Sequence, residues 1–245
     1  MIMVTTGSGK NKGESEHSPM LTPVVVDFPL RGEWVAPNTP GKRIPSHGSD
    51  MLGERYAYDF VRTGPGSRGM RFYRPSPLHY LVLGVRLQDC FGWGQPIFSA
   101  TAGIVVQAED GWPERNPVHP ARDLAIALKH ALTFDVKRTA DLRPLAGNYI
   151  IVETGDGYAV YAHAQTGSIK VSPGDTVTAG QPLARVGHSG NSTAPHLHFH
   201  LMDHRDPLKA QGIPCCFREY EVLHEGVWHP VQNGIPKDTD RIRRL

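Results

Sequence analysis

Residues 187–203, GHSGNSTAPHLHFHLMD, decide how the chain is read: a loop of Gly, Ser, Asn, Thr and Pro runs directly into three histidines at alternate positions. In a strand, successive side chains point to opposite faces, so His196, His198 and His200 share one face while Leu197, Phe199 and Leu201 share the other. The apolar face belongs to a core. The other is a row of imidazoles, the commonest protein ligand for a transition metal and the commonest general base near neutral pH.

The flanking sequence has the same extended character. GNYIIVETGDGYAVYAHAQ reads as a hairpin around TGDG, and SPGDTVTAGQPLARVG sets turn residues around short strands. RYAYDFVR alternates, with Tyr56, Tyr58 and Phe60 on one face and Ala57, Asp59 and Val61 on the other. QPIFSATAGIVVQAEDG reads as two strands about a bend at Gly103. The exception is HPARDLAIALKHALTF, where Leu124, Leu128 and Ala131 follow helical spacing behind Pro120. With its polar flanks it forms an insertion at about 110–146. A helix is predicted at about 120–133, outside a mainly antiparallel sheet or flattened barrel.

Composition narrows the function class. The 26 basic and 24 acidic residues leave a formal charge of +2, with no basic recognition element, so nucleic acid is not an expected partner. Cys90, Cys215 and Cys216 have neither the count nor the spacing of a disulfide framework or a thiolate metal site. The first twenty residues are polar and read as a disordered tail. They lack the apolar stretch of a signal peptide, and no later stretch reads as a membrane span. As written, the chain is expected to start in the cytosol. The length suits one domain with decoration: a body at 21–203 and a C-terminal extension at 204–245 packed on it.

A catalytic zinc needs about three His or carboxylate ligands and an open position. IPSHGSDMLGERYAYDF offers His47 and Asp50 in a turn-rich loop and Asp59 within the alternating strand. His163 ends YAVYAHA on the same face as Ala159 and Tyr161, neighbours that could shape a pocket.

These pieces resemble the M23 zinc metallopeptidases, the lysostaphin-like or LytM-like endopeptidases. GHSGNSTAPHLHFHLMD resembles their Gly-x-Ser/Thr-Gly-x-Ser/Thr-x-x-Pro-His-Leu-His-Phe signature, VYAHA their Tyr-x-His segment, and GDTVTAGQ the stretch between them. The resemblance runs from about residue 40 to residue 203 and implies a LytM-type β fold, with the insertion near 110–146 unmatched. It implies zinc held by His47, Asp59 and His198, with His163 and His196 flanking the metal as catalytic groups. Eleven residues separate His47 from Asp59, where the family commonly has a compact His-x-x-x-Asp, so Asp50 stays a rival ligand. The position after His-Leu-His-Phe is usually acidic and here is His200, either a support for the ligands or an exposed strand-end residue.

The implied activity is hydrolysis of peptide bonds in peptidoglycan stems or cross-bridges. A non-catalytic LytM-like binding module is the alternative, countered by the complete set of five residues. A cupin, also built on His-x-His, lacks here its downstream Glu. GDTVTAGQPL faintly suggests a lipoyl or biotin carrier, but no modifiable lysine follows in VGHSGN. Peptidoglycan lies outside the membrane and the chain shows no export signal, so another route out, an incomplete start, release by lysis or a different substrate all stay open.

Overall fold

Alternating runs build fourteen strands among residues 22–65, 69–133 and 141–245, which the computed structural model describes. The polar start expected to be disordered lies outside the described residues. In chain order the strands are β1 (Val24–Val26), β2 (Gly32–Asn38), β3 (Tyr58–Val61), β4 (Pro96–Phe98), β5 (Gly103–Glu109), β6 (Asn148–Thr154), β7 (Gly157–Ala164), β8 (Thr176–Val177), β9 (Pro182–Arg185), β10 (His196–Met202), β11 (Gly212–Ile213), β12 (Cys215–His224), β13 (Val227–Gly234) and β14 (Arg241–Arg244). Twelve of them form one sheet in the order β1-β12-β14-β2-β3-β10-β7-β6-β5-β8, with β11 on β10 and β13 on β12; β4 and β9 pair separately. The pairings are antiparallel except β1 with β12, and the sheet is open rather than a closed barrel.

The central strands obey the period of two. Leu197, Phe199 and Leu201 are fully buried in one cluster with Trp34, Tyr58, Phe60, Tyr161 and Phe217. Fully burying an aromatic or branched aliphatic side chain is worth about 1.5–3 kcal/mol, so this layer fixes the register of β3, β7 and β10 against slippage. That register sets Asp59 opposite His198, and His198 opposite Ala162. A single-residue shift would move every histidine of β10 into the core.

Residues 204–245 supply β11–β14 to the same sheet, and β12 and β14 lie between β1 and β2. Arg241 Nε meets Glu33 at 3.0 Å across that seam.

The helix expected at about 120–133 is α2 (Pro120–Thr133); the first helix, α1, spans Pro77–Leu83, and α3, Arg143–Ala146, closes the insertion. The face that the spacing gives to Leu124 and Leu128 is turned to solvent. Leu124 and Leu128 are 64% and 59% exposed, while Asp123 is buried. The helix packs through a polar cluster rather than a leucine seam. No helix among the described residues is long and apolar enough to cross a membrane.

Candidate active site

Asp59 is the hub of the histidine face. Its Oδ2 lies 2.9 Å from His47 Nε2 and its Oδ1 3.0 Å from His198 Nδ1. Asn38 Nδ2 donates to Oδ2 at 2.8 Å, and His47 Nδ1 is 3.0 Å from Ser46 Oγ. Burial alone would raise the Asp59 carboxyl, but the His196 and His47 rings and hydrogen bonds from His196 and His198 hold it well below the usual carboxylate range. The same carboxylate outweighs burial at His47 and raises that ring above its ordinary value. A negative hub gathering imidazoles around it is an arrangement that attracts a cation.

One donor atom each from His47, Asp59 and His198 lies within 4.8 Å of the others. Tetrahedral zinc with bonds of about 2.0–2.1 Å sets its ligand atoms roughly 3.3–3.4 Å apart, so the trio fits such an ion with little movement. Two imidazoles and one carboxylate are the donor set of an open site rather than of a closed structural one. These three residues could hold a metal ion.

His163 and His196 flank the trio. Their rings lie 4.6 Å apart, and His163 is 6.0 Å from His198. The position of His163 corrects the expectation from alternation. Ala159 and Tyr161 face the hydrophobic core, and a regular strand would send His163 with them. Its backbone is instead left-handed, with φ 60°, and this turns the ring onto the groove side beside Val160 and Ala162. A non-glycine residue in that region costs of order 1–3 kcal/mol and persists only where its surroundings hold it. The hold is its Nδ1, 2.9 Å from the Ser189 carbonyl. His196 Nδ1 is likewise 2.7 Å from the Ala194 carbonyl. With Nδ1–H donated to its carbonyl, a neutral His163 ring presents Nε2 as a lone pair, whereas His196 Nε2 lies 3.4 Å from Asp59 Oδ1, and although burial would lower the His196 pKa that carboxylate raises it. Burial and the His196 and His198 charges push His163 well below its ordinary value, so it is neutral at pH 7.

Asp50 does not join the group; both its oxygens accept from Arg55 Nη1, at 2.6 and 2.7 Å, at an exposed position. His200 is buried, with Nδ1 3.1 Å from His198 Nε2, on the far side of that ring from Asp59. A ligand imidazole usually donates its outer N–H to such an acceptor, which fixes its tautomer. Among the described residues, His200 Nε2 itself is buried with no hydrogen-bond partner.

Glu54, on the short 3-10 turn Met51–Tyr56, was not expected. Its carboxyl lies 3.8 Å from His198 Nε2, and burial raises its pKa against the pull of His198 and His47. Its only sequence signal is its place between His47 and Asp59. Asn38 carried none, because β2 reaches Asp59 through sheet pairing. The groove of about 450 Å³ over these residues has an apolar wall including Leu142, Leu145, Ile151 and Ala162, and His130 of α2 borders it.

The profile of Peptidase family M23 matches residues 131–210, a span that contains His163, His196, His198 and His200. Over that third of the chain the sequence is similar to Peptidase family M23. Over 68 residues, 27% of the chain, it is 37% identical to the peptidoglycan DD-endopeptidase ShyA and 38% identical to ShyB, both of Vibrio cholerae serotype O1. The aligned M23 segment makes up 15% and 16% of those two relatives. Among solved structures, the catalytic domain of the prophage-encoded M23 protein EnpA from Enterococcus faecalis aligns at 19% identity. That alignment has a TM-score of 0.39 and covers 74% of this chain and 88% of that one. His47 and Asp59 lie upstream of the matched M23 span and reach its histidines through the pairing of β3 with β10.

Proposed function

We propose that the chain is a zinc-dependent endopeptidase, with His47, Asp59 and His198 as metal ligands and His163 and His196 as catalytic groups. The observation that carries the reading is the convergence of a His–Asp–His trio with two flanking imidazoles whose Nδ1 atoms are both tied to loop carbonyls. A binding module without activity would not need that second pair oriented. The relatives named as peptidoglycan DD-endopeptidases favour peptide bonds of peptidoglycan stems or cross-bridges as substrate.

Zinc held by the trio supplies Lewis acidity, polarising a peptide carbonyl and making water acidic enough to attack near neutral pH. The chain's own residues do the rest. Asp59 and Asn38 orient the ligands, and His200 takes the outer N–H of His198. Neutral His163 presents Nε2 to accept the proton of the attacking water and return it to the leaving amine, and His196, whose pKa Asp59 raises, stabilises the oxyanion. The apolar wall of the groove excludes water from one side of the bound peptide and strengthens these interactions.

The test is digestion of purified muropeptides and of oligoglycine peptides, with and without a chelator, read by mass spectrometry. New fragments that vanish on chelation and return with zinc are expected. No cleavage of either substrate by the zinc-loaded chain would refute the proposal.

A further inference from the structure

The insertion is tied to the histidine loop, residues 187–195, at both of its ends. Before α2, Glu114 forms an isolated β bridge with Ser189, and its carboxylate accepts the His188 N–H at 2.7 Å. Arg115 donates to the carbonyls of Gly190 and Ser192 at 2.6 Å each, and its Nε donates to Asp123 Oδ1 at 2.9 Å. Asp123, in the first turn of α2, also accepts the His119 N–H at 2.8 Å and lies 3.3 Å from His188 Nε2. His188 Nδ1 is 3.1 Å from Ser192 Oγ, and Ser192 Oγ is 3.1 Å from His196 Nδ1. At the other end, the Leu145 carbonyl of α3 accepts the Asn191 N–H at 2.8 Å.

The cost of this arrangement shows that it is built. The Asp123 and His188 side chains have no exposed surface, and a buried carboxylate is expensive unless fully partnered. Burial would raise the Asp123 carboxyl, yet hydrogen bonds from His188, Arg122, the His119 N–H and Arg115 hold it well below the usual range. A helix serving only to cover the sheet would bury Leu124 and Leu128 and expose Asp123; α2 does the reverse.

We infer that Arg115, Asp123 and His188 are positioning residues: they hold the loop so that its Ser189 and Ala194 carbonyls keep the His163 and His196 rings aimed into the groove. The inference rests on the hydrolytic reading of those two histidines. Arg115 grips Gly190 and Ser192, which bracket Asn191, while Glu114 and His188 fix the residues around Ser189. The loop carbonyls are thereby set from the insertion and not only from the sheet.

The experiment uses the full zinc-loaded chain with Arg115→Lys, Asp123→Asn, His188→Ala and His188→Gln. Zinc content, KM and kcat are measured on a peptide that the parent cleaves. NMR follows solvent exchange of the His163 and His196 Nδ1–H protons, a readout that needs no turnover. In the first three variants kcat is expected to fall by about tenfold to a hundredfold, the cost of a misplaced catalytic group, with KM and zinc content little changed and the ring N–H exchange accelerated. His188→Gln, which keeps a donor to Asp123, should restore most of what His188→Ala loses. Unchanged kcat and exchange, or a loss that only follows zinc or folded fraction, overturns the inference. A parent that cleaves nothing removes the hydrolytic reading instead, and the exchange measurement then decides alone: accelerated exchange supports the positioning role, and unchanged exchange refutes it.

Discussion

Gly147→Ala should damage both stability and catalysis, because two backbones cross there with no room for a side chain. Gly147 ends α3 with φ 64°, and a Cβ on it would sit 2.6 Å from the Ser189 carbonyl carbon and 2.7 Å from its oxygen. From the other side, a Cβ on Gly190, φ 66°, would meet the Gly147 Cα and the Leu145 carbonyl oxygen at 2.6 Å. A left-handed conformation costs a residue with Cβ roughly 1–2 kcal/mol, and forcing apart well-packed groups typically costs 1–3 more, so a loss of about 2–5 kcal/mol is expected. The atom displaced is the oxygen that holds His163 Nδ1 at 2.9 Å. Urea unfolding of the zinc-loaded chain measures the first effect and kcat under fully folded conditions the second. Gly155→Ala, whose Cβ would meet nothing within 4 Å, is the control and should stay within about 0.5 kcal/mol of the parent. If Gly147→Ala matches that control, the crossing is not tight and the argument built on it fails.

Asp59→Ala should remove most of the bound zinc while Asp50→Ala leaves it in place; the reverse result in a metal assay would move the ligand to the exposed carboxylate now paired with Arg55. His163→Ala should keep zinc and fold but lose about a hundredfold or more in kcat, and cleavage at the parental rate would remove its catalytic role. Burial lowers the His188 pKa despite Asp123, so the folded chain leaves this ring neutral where the unfolded chain takes up a proton below about 6.5. Stability is therefore lost as pH falls through that value, by up to about 1.4 kcal/mol per pH unit for this ring. His188→Asn should flatten the dependence by that amount in urea titrations at about pH 5.5 and 7.5, and an unaltered slope would contradict it.

How much was legible follows from the range of each signal. The faces of β10 and the pairing of Tyr58 and Phe60 against Asp59 could be read because a period of two depends only on the strand itself. His163 was set on the wrong face because one left-handed residue inverts the alternation without leaving a glycine to announce it. Spacing set the leucines of α2 on one face, but it reports which residues share a face, not which face the fold covers. Asp123 and His188 could not be connected: sixty-five positions separate them and each alone resembles a surface residue. The place of β12 and β14 between β1 and β2 was equally hidden, since edge pairing is chosen by geometry rather than by local pattern.

That placement bears on how the chain is made. β1, at residues 24–26, is synthesised well before its parallel partner at residues 215–217, and Glu33 before Arg241. Contacts this distant in sequence carry a high loop-closure cost and slow the search for the native pairing. During synthesis the histidine strand and its Asp59-bearing neighbour are complete by residue 202, but β2 on their flank still lacks its outer partner, β14. A nascent chain at that stage presents an open edge able to recruit strands from other chains, so synthesis must pass residue 244 before the flank of the histidine strand is sealed within a single molecule.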